Sequence, residues 1–115
     1  KDVNLIFMQN MFITIFFGNE EWLIDCEVGT YDEVTYDIMC SKNMKASTSD
    51  GKTTIYSQNL DFIADKSANL YNKVSIFDEE GFELQADRIL YDFESKIYKV
   101  NMFNADENVK IKLIE

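Results

Sequence analysis

The sequence predicts an all-β domain made of stacked antiparallel strand units. Apolar and polar residues alternate with a period of two along much of the chain, the pattern of strands with one buried face. A degenerate repeat of about thirty residues also runs three times, over roughly 20–51, 52–81 and 82–109. Units of this size cannot bury an apolar face alone, so we expect the repeats to stack into one domain over 1–115.

Short strands separated by polar turn signals account for most of the chain. The apolar segments 3–8 and 11–17 predict two early strands with a break at Gln9-Asn10. The segment 86–94 also fits a helix, but its place in the repeat favours a strand. The remaining strands are predicted at 21–28, 34–40, 44–47, 53–57, 70–77, 82–86, 98–103 and 109–114.

The alternation assigns one face of these strands to the interior. Charged residues such as Asp25, Lys45 and Lys73 fall on the opposite phase, and the aromatics Tyr31 and Phe62 recur at one position of the repeat. The large apolar side chains of the inward phase are Trp22, Ile24, Ile38, Met44, Ile55, Leu70, Val74, Ile76, Phe82, Leu84, Val100 and Met102.

Composition and charge exclude several functional classes. The apolar fraction of 46% argues against disorder, and the formal net charge of −10 is wrong for nucleic-acid binding, which needs clustered Lys and Arg. No apolar run approaches the length of a membrane-spanning helix. Because the chain begins with Lys1 rather than Met, we expect a fragment or a processed product, and the residues leave open whether an upstream signal or anchor was removed.

The residue types give catalysis little support. The absence of His removes Ser–His and Cys–His nucleophile pairs and His-containing zinc sites. Most of the 21 acidic residues fall in turns or on the outward phase, and no phosphate-binding glycine loop is present. We therefore expect a protein that is not an enzyme, with no catalytic residue, no metal and no cofactor.

Cys26 and Cys40 are the only cysteines, and both fall on the inward phase of neighbouring predicted strands. Opposed strand positions bring Cβ atoms within reach of a disulfide. The pair can therefore be bridged in an oxidising compartment, or otherwise act as small buried apolar residues. The residues alone leave both alternatives open.

The last predicted strand, carrying Val109, Ile111 and Leu113, alternates cleanly and lacks proline protection. If it ends the stack, its unpaired backbone groups can accept a strand from a partner. A short capped edge that pairs with nothing is the alternative.

Two consecutive segments resemble the signature of the periplasmic lipopolysaccharide-export family, which includes LptC, LptA and OstA-like domains. The segments are 70–76, LYNKVSI, and 78–92, DEEGFELQADRILYD. They are similar to the family's return strand, acidic-glycine turn and Leu-x-Ala-Asp-x-Leu-x-Tyr-Asp strand. The likeness extends over roughly 12–113, with Lys42 and Asn72 where the family usually has glycine. The membrane-anchored LptC looks most similar, with LptA as the alternative.

The resemblance implies a fold and a function. The fold is an open β-jellyroll of V-shaped cross-section, whose groove takes lipid A acyl chains and whose units join edge to edge. The implied partners are lipopolysaccharide, LptA-like jellyroll units and an inner-membrane ABC transporter complex, and the implied location is the periplasm at the inner membrane. The inward set would line the groove. The competing hypothesis is a structural interaction domain with a filled core and no lipid.

Overall fold

The chain is folded almost entirely into antiparallel β-strands. The structure is a computed structural model that describes residues 4–17 and 19–101 and the backbone of 110–113. No helix long and apolar enough to cross a membrane is found among them. The strands are β1 (Leu5–Phe17), β2 (Glu20–Asp32), β3 (Ile38–Lys42), β4 (Met44–Thr48), β5 (Thr53–Ser57), β6 (Asn59–Ile63), β7 (Ser67–Asp78), β8 (Phe82–Asp92), β9 (Ile97–Asn101) and β10 (Lys110–Leu113).

Two long strands, β2 and β7, are joined by two pairs of short strands. The first half of β2 pairs with β4, which pairs with β5 and through it with the second half of β7. The second half of β2 pairs with β3, which pairs with β6 and through it with the first half of β7. The hydrogen bonds therefore close a ring of six strands.

This ring confirms the all-β, antiparallel prediction, but the open roll with a V-shaped section is not what the strand pairing shows. The closure depends on β6, which was not among the strands predicted from the sequence. Its five residues are half-buried on both faces apart from the buried Leu60, so their polarity gives no clean alternation. The β6–β7 ladder, from Asn59 opposite Tyr71 to Ile63 opposite Ser67, closes the ring.

The remaining strands extend the sheet beyond the ring. β1 pairs along the outer edge of β2, and β8 pairs along the outer edge of β7. At the far edge of β8, β9 pairs with one half and β10 with the other. The segment 86–94, which also fitted a helix, therefore continues as strand to Asp92.

The long strands change phase where they pass from one short-strand pair to the other. In β2 the register shifts between Val28 and Gly29, and in β7 it shifts between Tyr71 and Val74. In β1, Asn10 has a φ of 55°, in the left-handed region that Asn tolerates better than most residues. The predicted break at Gln9-Asn10 is therefore a local twist within one continuous strand.

Two turns at one end of the sheet share the same construction. Asp32 Oδ1 accepts hydrogen bonds from the backbone N–H groups of Val34 and Thr35, at 2.8 and 3.0 Å. Asp92 Oδ1 accepts from the residues at the equivalent two positions, at 2.9 and 3.2 Å. Side-chain acceptors of this kind fix a turn by satisfying its free donors. The turn after Asp32 occupies the start of the segment predicted as strand 34–40, so β3 begins only at Ile38.

The core lies inside the ring. Most of the residues that the sequence assigns to the inward phase belong to this core or pack against it. Of the predicted set, Ile24, Ile38, Met44, Leu70 and Val74 are buried. Five more pack against that core with part of their surface exposed, namely Trp22, Ile55, Ile76, Leu84 and Val100. Phe82 is half-buried, and Met102 lies outside the described residues.

Candidate functional site

A cavity of about 790 Å³ opens at one end of the ring; we call it the outer cavity. Its wall is largely the inward face of β1, with Ile13 and Ile15, completed by Ile38 from β3 and Phe62 from β6. Its rim is exposed and more polar, because it consists of turn residues and the outward side chains of β1. The rim residues are Thr14, Phe16, Tyr36, Asp65 and Glu94.

A second space of about 130 Å³, which we call the inner cavity, adjoins the first. Every side chain that lines it is apolar or aromatic, including Trp22, Ile24 and Leu70. The two cavities share four lining residues, Ile15, Phe17, Phe62 and Phe93. An apolar path therefore leads from the rim into the ring, interrupted at these shared side chains.

An aromatic cluster stands at this junction, formed by Phe17, Phe62, Tyr91, Phe93 and Tyr98. The ring centroid of Phe93 lies 4.7 Å from that of Phe17 and 5.6 Å from those of Phe62 and Tyr91. Tyr91 stacks on Tyr98 with a centroid distance of 4.3 Å. Phe93 follows β8 in a turn, where its N–H donates to the carbonyl of Lys66 at 2.9 Å. The junction thus depends on one ring carried by a turn rather than by a strand.

Trp22 lines the inner cavity and carries a buried polar atom. Its indole Nε1 is buried and has no hydrogen-bond partner among the described residues. A buried N–H without an acceptor costs free energy, so an acceptor oxygen supplied from outside the chain would be stabilised there. Among the described residues that line the inner cavity, Trp22 is thus the one whose side chain has a buried donor without a partner.

The predicted groove residues divide into three groups. Trp22, Ile24 and Leu70 line the inner cavity, and Ile38 lines the outer one. Met44 and Val74 are each 1% exposed and belong to the closed core. The half-buried side chains of Ile55, Ile76, Phe82, Leu84 and Val100 also line neither cavity, and Met102 lies outside the described residues.

The cavity-lining residues of β1 and Phe93 were not among the site residues predicted from the sequence. The alternation of Ile13, Ile15 and Phe17 in an uncharged strand was the signal that could have found the first. No comparable signal marks Phe93, because its position depends on how the turn after β8 folds back over the ring.

The structure offers two sheet edges for a partner. Ile111 and Leu113 lie in β10, whose backbone pairs with β8 opposite Leu84 and Phe82, while Val109 is outside the described residues. The second edge is β1, which pairs only with β2 among the described strands. β1 carries no charged residue and exposes Phe12 and Phe16, at 62% and 78%. An uncharged, apolar edge strand of thirteen residues is unusual, since edges are normally protected.

Cys26 and Cys40 are free thiols, and both are buried. Cys26 Sγ donates to the carbonyl of Val28 at 3.3 Å. Burial raises the pKa of both thiols above the usual range. The register places Cys40 opposite Gly29 rather than Cys26, so the two are not the directly opposed positions that the sequence predicted.

Among the described residues, no three Cys, Asp or Glu side chains converge as a metal site. Within that part of the chain, the apolar path with its aromatic junction is the arrangement best suited to a ligand. No protein-family model and no curated protein matches this chain.

Proposed function

We propose that this protein is a non-enzymatic lipid carrier that binds acyl chains in the apolar path formed by the outer and inner cavities. The observation that carries the proposal is that the two cavities adjoin each other, since Ile15, Phe17, Phe62 and Phe93 line both of them. Lipid-binding cavities need apolar walls without buried charge, and the inner cavity has such walls.

The lipid we favour is lipopolysaccharide, on the resemblance of the segments 70–76 and 78–92 to the export family. Its acyl chains carry ester, amide and hydroxyl oxygens near their attachment, and such an oxygen could accept from the indole N–H of Trp22. The polar rim, with Tyr36 and Asp65, would leave the headgroup in water. A plain hydrocarbon would leave the indole donor unsatisfied.

The same proposal assigns a role to the two sheet edges. Jellyroll units of the LptA kind would pair with β1 or β10 by strand addition, which uses backbone hydrogen bonds for affinity. Movement of the lipid would be driven by an inner-membrane ABC transporter complex, and the chain would act in the periplasm. An LptA-like bridge unit is the near alternative.

The exposed apolar face of β1 also supports a second candidate function, a structural domain that only binds other proteins. Phe7, Phe12 and Phe16 expose 76%, 62% and 78% of their surface there. Exposed apolar patches commonly mark interaction sites. The occupancy of the interior by lipid separates the two candidates.

Site-specific photo-crosslinking tests the carrier proposal. A benzoylphenylalanine in place of Phe62 or Phe17 keeps an aromatic ring at the junction, and irradiation with purified lipopolysaccharide should give a covalent adduct. The matched controls are Phe12 on β1 and Phe77 on β7, which face solvent. Equal capture at the control positions, or capture at the controls alone, would contradict a lipid in the ring and favour the interaction domain.

A further inference from the structure

The turns after β2, β6 and β8 meet at the mouth of the outer cavity. The backbone N–H of Ala64 donates to Asp37 Oδ1 at 2.9 Å, which joins the turn after β6 to the turn after β2. The N–H of Phe93 donates to the carbonyl of Lys66 at 2.9 Å, which joins the turn after β8 to the turn after β6. These hydrogen bonds hold the side chains of the three turns around one opening.

The mouth of the outer cavity is acidic. Among the described residues that line it, the charged ones are Asp65 and Glu94, and both are exposed. Neither has an ion-pair partner within the described part of the chain. The segments 32–37, 64–66 and 92–96, which include the three turns, hold six acidic residues and two lysines, and neither lysine lines the cavity. The local charge therefore attracts cations toward the opening and repels anions.

Two exposed aromatic rings belong to the same rim. Tyr36 and Phe16 line the outer cavity with 61% and 78% of their surface exposed. A cation over the face of such a ring is attracted by the ring quadrupole, and aromatic rings are a common means of binding ammonium ligands. An anion gains no such attraction. The rings and the carboxylates of the rim thus favour the same kind of headgroup.

We propose that the outer cavity selects amphiphiles whose headgroup carries an ammonium group, held between Asp65 and Glu94 while the alkyl chain lies along the apolar wall. This inference rests on the carrier function proposed above and narrows its ligand. An anionic headgroup at the same place would be repelled. The phosphates of lipid A would therefore fit this rim best where an amine substituent offsets their charge.

The rim should set the preference between headgroups rather than the overall affinity. Most of the affinity would come from burial of the alkyl chain against the apolar wall, which includes Ile13, Ile15 and Ile38, and that contribution is the same for any headgroup. Exposed ion pairs contribute little individually. We therefore expect the two carboxylates to favour a cationic headgroup over an uncharged one by about threefold to tenfold.

Isothermal titration calorimetry with three probes of matched alkyl chain tests the inference. The probes are the cation decyltrimethylammonium, the amine oxide decyldimethylamine oxide, which has no net charge at neutral pH, and the anion decanoate. Each is used below its critical micelle concentration. The wild type should bind the cation about threefold to tenfold more tightly than the amine oxide, and decanoate most weakly.

Two double variants separate the rim from the net charge of the chain. Asp65→Asn with Glu94→Gln should abolish most of the cationic preference. Both side chains are exposed and Asn tolerates the φ of 65° at the first position, so we expect this rim variant to fold. Glu79→Gln with Glu80→Gln is the matched control, because it removes two exposed carboxylates from the turn after β7, which line neither cavity. The control should keep the preference.

The outcomes distinguish this inference from the carrier proposal. Equal affinity for the three probes would overturn the inference and leave the carrier proposal intact. A cationic preference that persists in the rim variant, or that falls equally in the control, would also overturn it, since the preference would then come from net charge. If no probe binds, the carrier proposal fails and the inference fails with it.

Discussion

The rings of Phe17 and Phe93 lie 4.7 Å apart, centroid to centroid, and tilt by 42° across the junction of the two cavities. Phe17 is fixed by β1, whereas Phe93 belongs to a turn. A strand residue moves little without breaking its ladder, but a turn residue can change rotamer with little loss of backbone hydrogen bonding. Phe93 is therefore the side chain that we expect to control access to the inner cavity.

Replacement of Phe93 by Ala should open the path. We expect faster uptake of a fluorescent fatty-acid probe, measured by stopped-flow fluorescence, because the junction loses its central ring. The half-buried ring should cost less stability than the roughly 3–5 kcal/mol of a fully buried one. Phe77→Ala removes an exposed ring from β7 and should leave the rate of probe uptake unchanged. Slower or unchanged uptake in Phe93→Ala would remove the gating role.

Replacement of Trp22 by Phe should weaken binding of acyl chains that carry an acceptor oxygen. The change keeps an aromatic ring but removes the buried indole N–H. We expect affinity for lipid A to fall about threefold to tenfold, the equivalent of one neutral hydrogen bond. Affinity for an unsubstituted alkyl probe should stay the same or rise. Equal losses for both ligands would show that only packing was changed.

Replacement of Gly29 by Ala should destabilise the fold by about 1–3 kcal/mol, as overpacking does. The new Cβ would lie 2.7 Å from Met11 Sδ and 3.0 Å from the carbonyl oxygen of Met39, and the backbone atom cannot rotate away. Urea unfolding measures the change. In a double-mutant cycle, Met11→Val should recover part of the loss, because the shorter side chain vacates the space. If the effects of the two substitutions on stability simply add, the new Cβ clashes with the Met39 carbonyl oxygen rather than with Met11.

Acid titration should reveal the turn after β2. The backbone N–H groups of Thr35 and Val34 donate to the Asp32 carboxylate and hold its pKa below the usual range. The unfolded state then binds the proton more tightly, so this stabilisation is complete above the unfolded pKa of about 3.9 and is lost as pH falls below it. The wild type should therefore have a higher urea unfolding midpoint than Asp32→Asn at pH 6. The difference between the two midpoints should shrink as the pH is lowered to 3.

Lysines on the exposed face of β1 should prevent strand addition. The double variant with Phe12→Lys and Phe16→Lys places charges on an otherwise uncharged edge strand, the usual protection of edges. Sedimentation velocity should show less self-association than in wild type, with thermal stability nearly unchanged. Phe77→Lys, at an exposed site on an inner strand, is the matched control. If self-association persists in the double variant, the partner strand adds at β10 rather than at β1.

Sequence periodicity was sufficient for the strand class and for most of the interior. Ile24 and Val74 follow strict alternation, and both are buried. The closure of the ring could not be predicted in this way, because β6 has half-buried residues on both faces and so shows no clean alternation. The candidate site was only partly predictable for the same reason. Trp22 lay on the predicted face, whereas Phe93 reaches the cavities through a turn.

The closed ring of β2 to β7 also bears on how the chain folds. Each ladder joins segments near one another in sequence, and the most distant partners among the described pairs are Phe82 and Leu113. None of these ladders joins the two ends of the chain. Folding rates fall as contacts become less local, so this arrangement favours faster folding than a barrel closed by its terminal strands. The hairpins β1–β2 and β7–β8 could form early, and the short strands could then close between them.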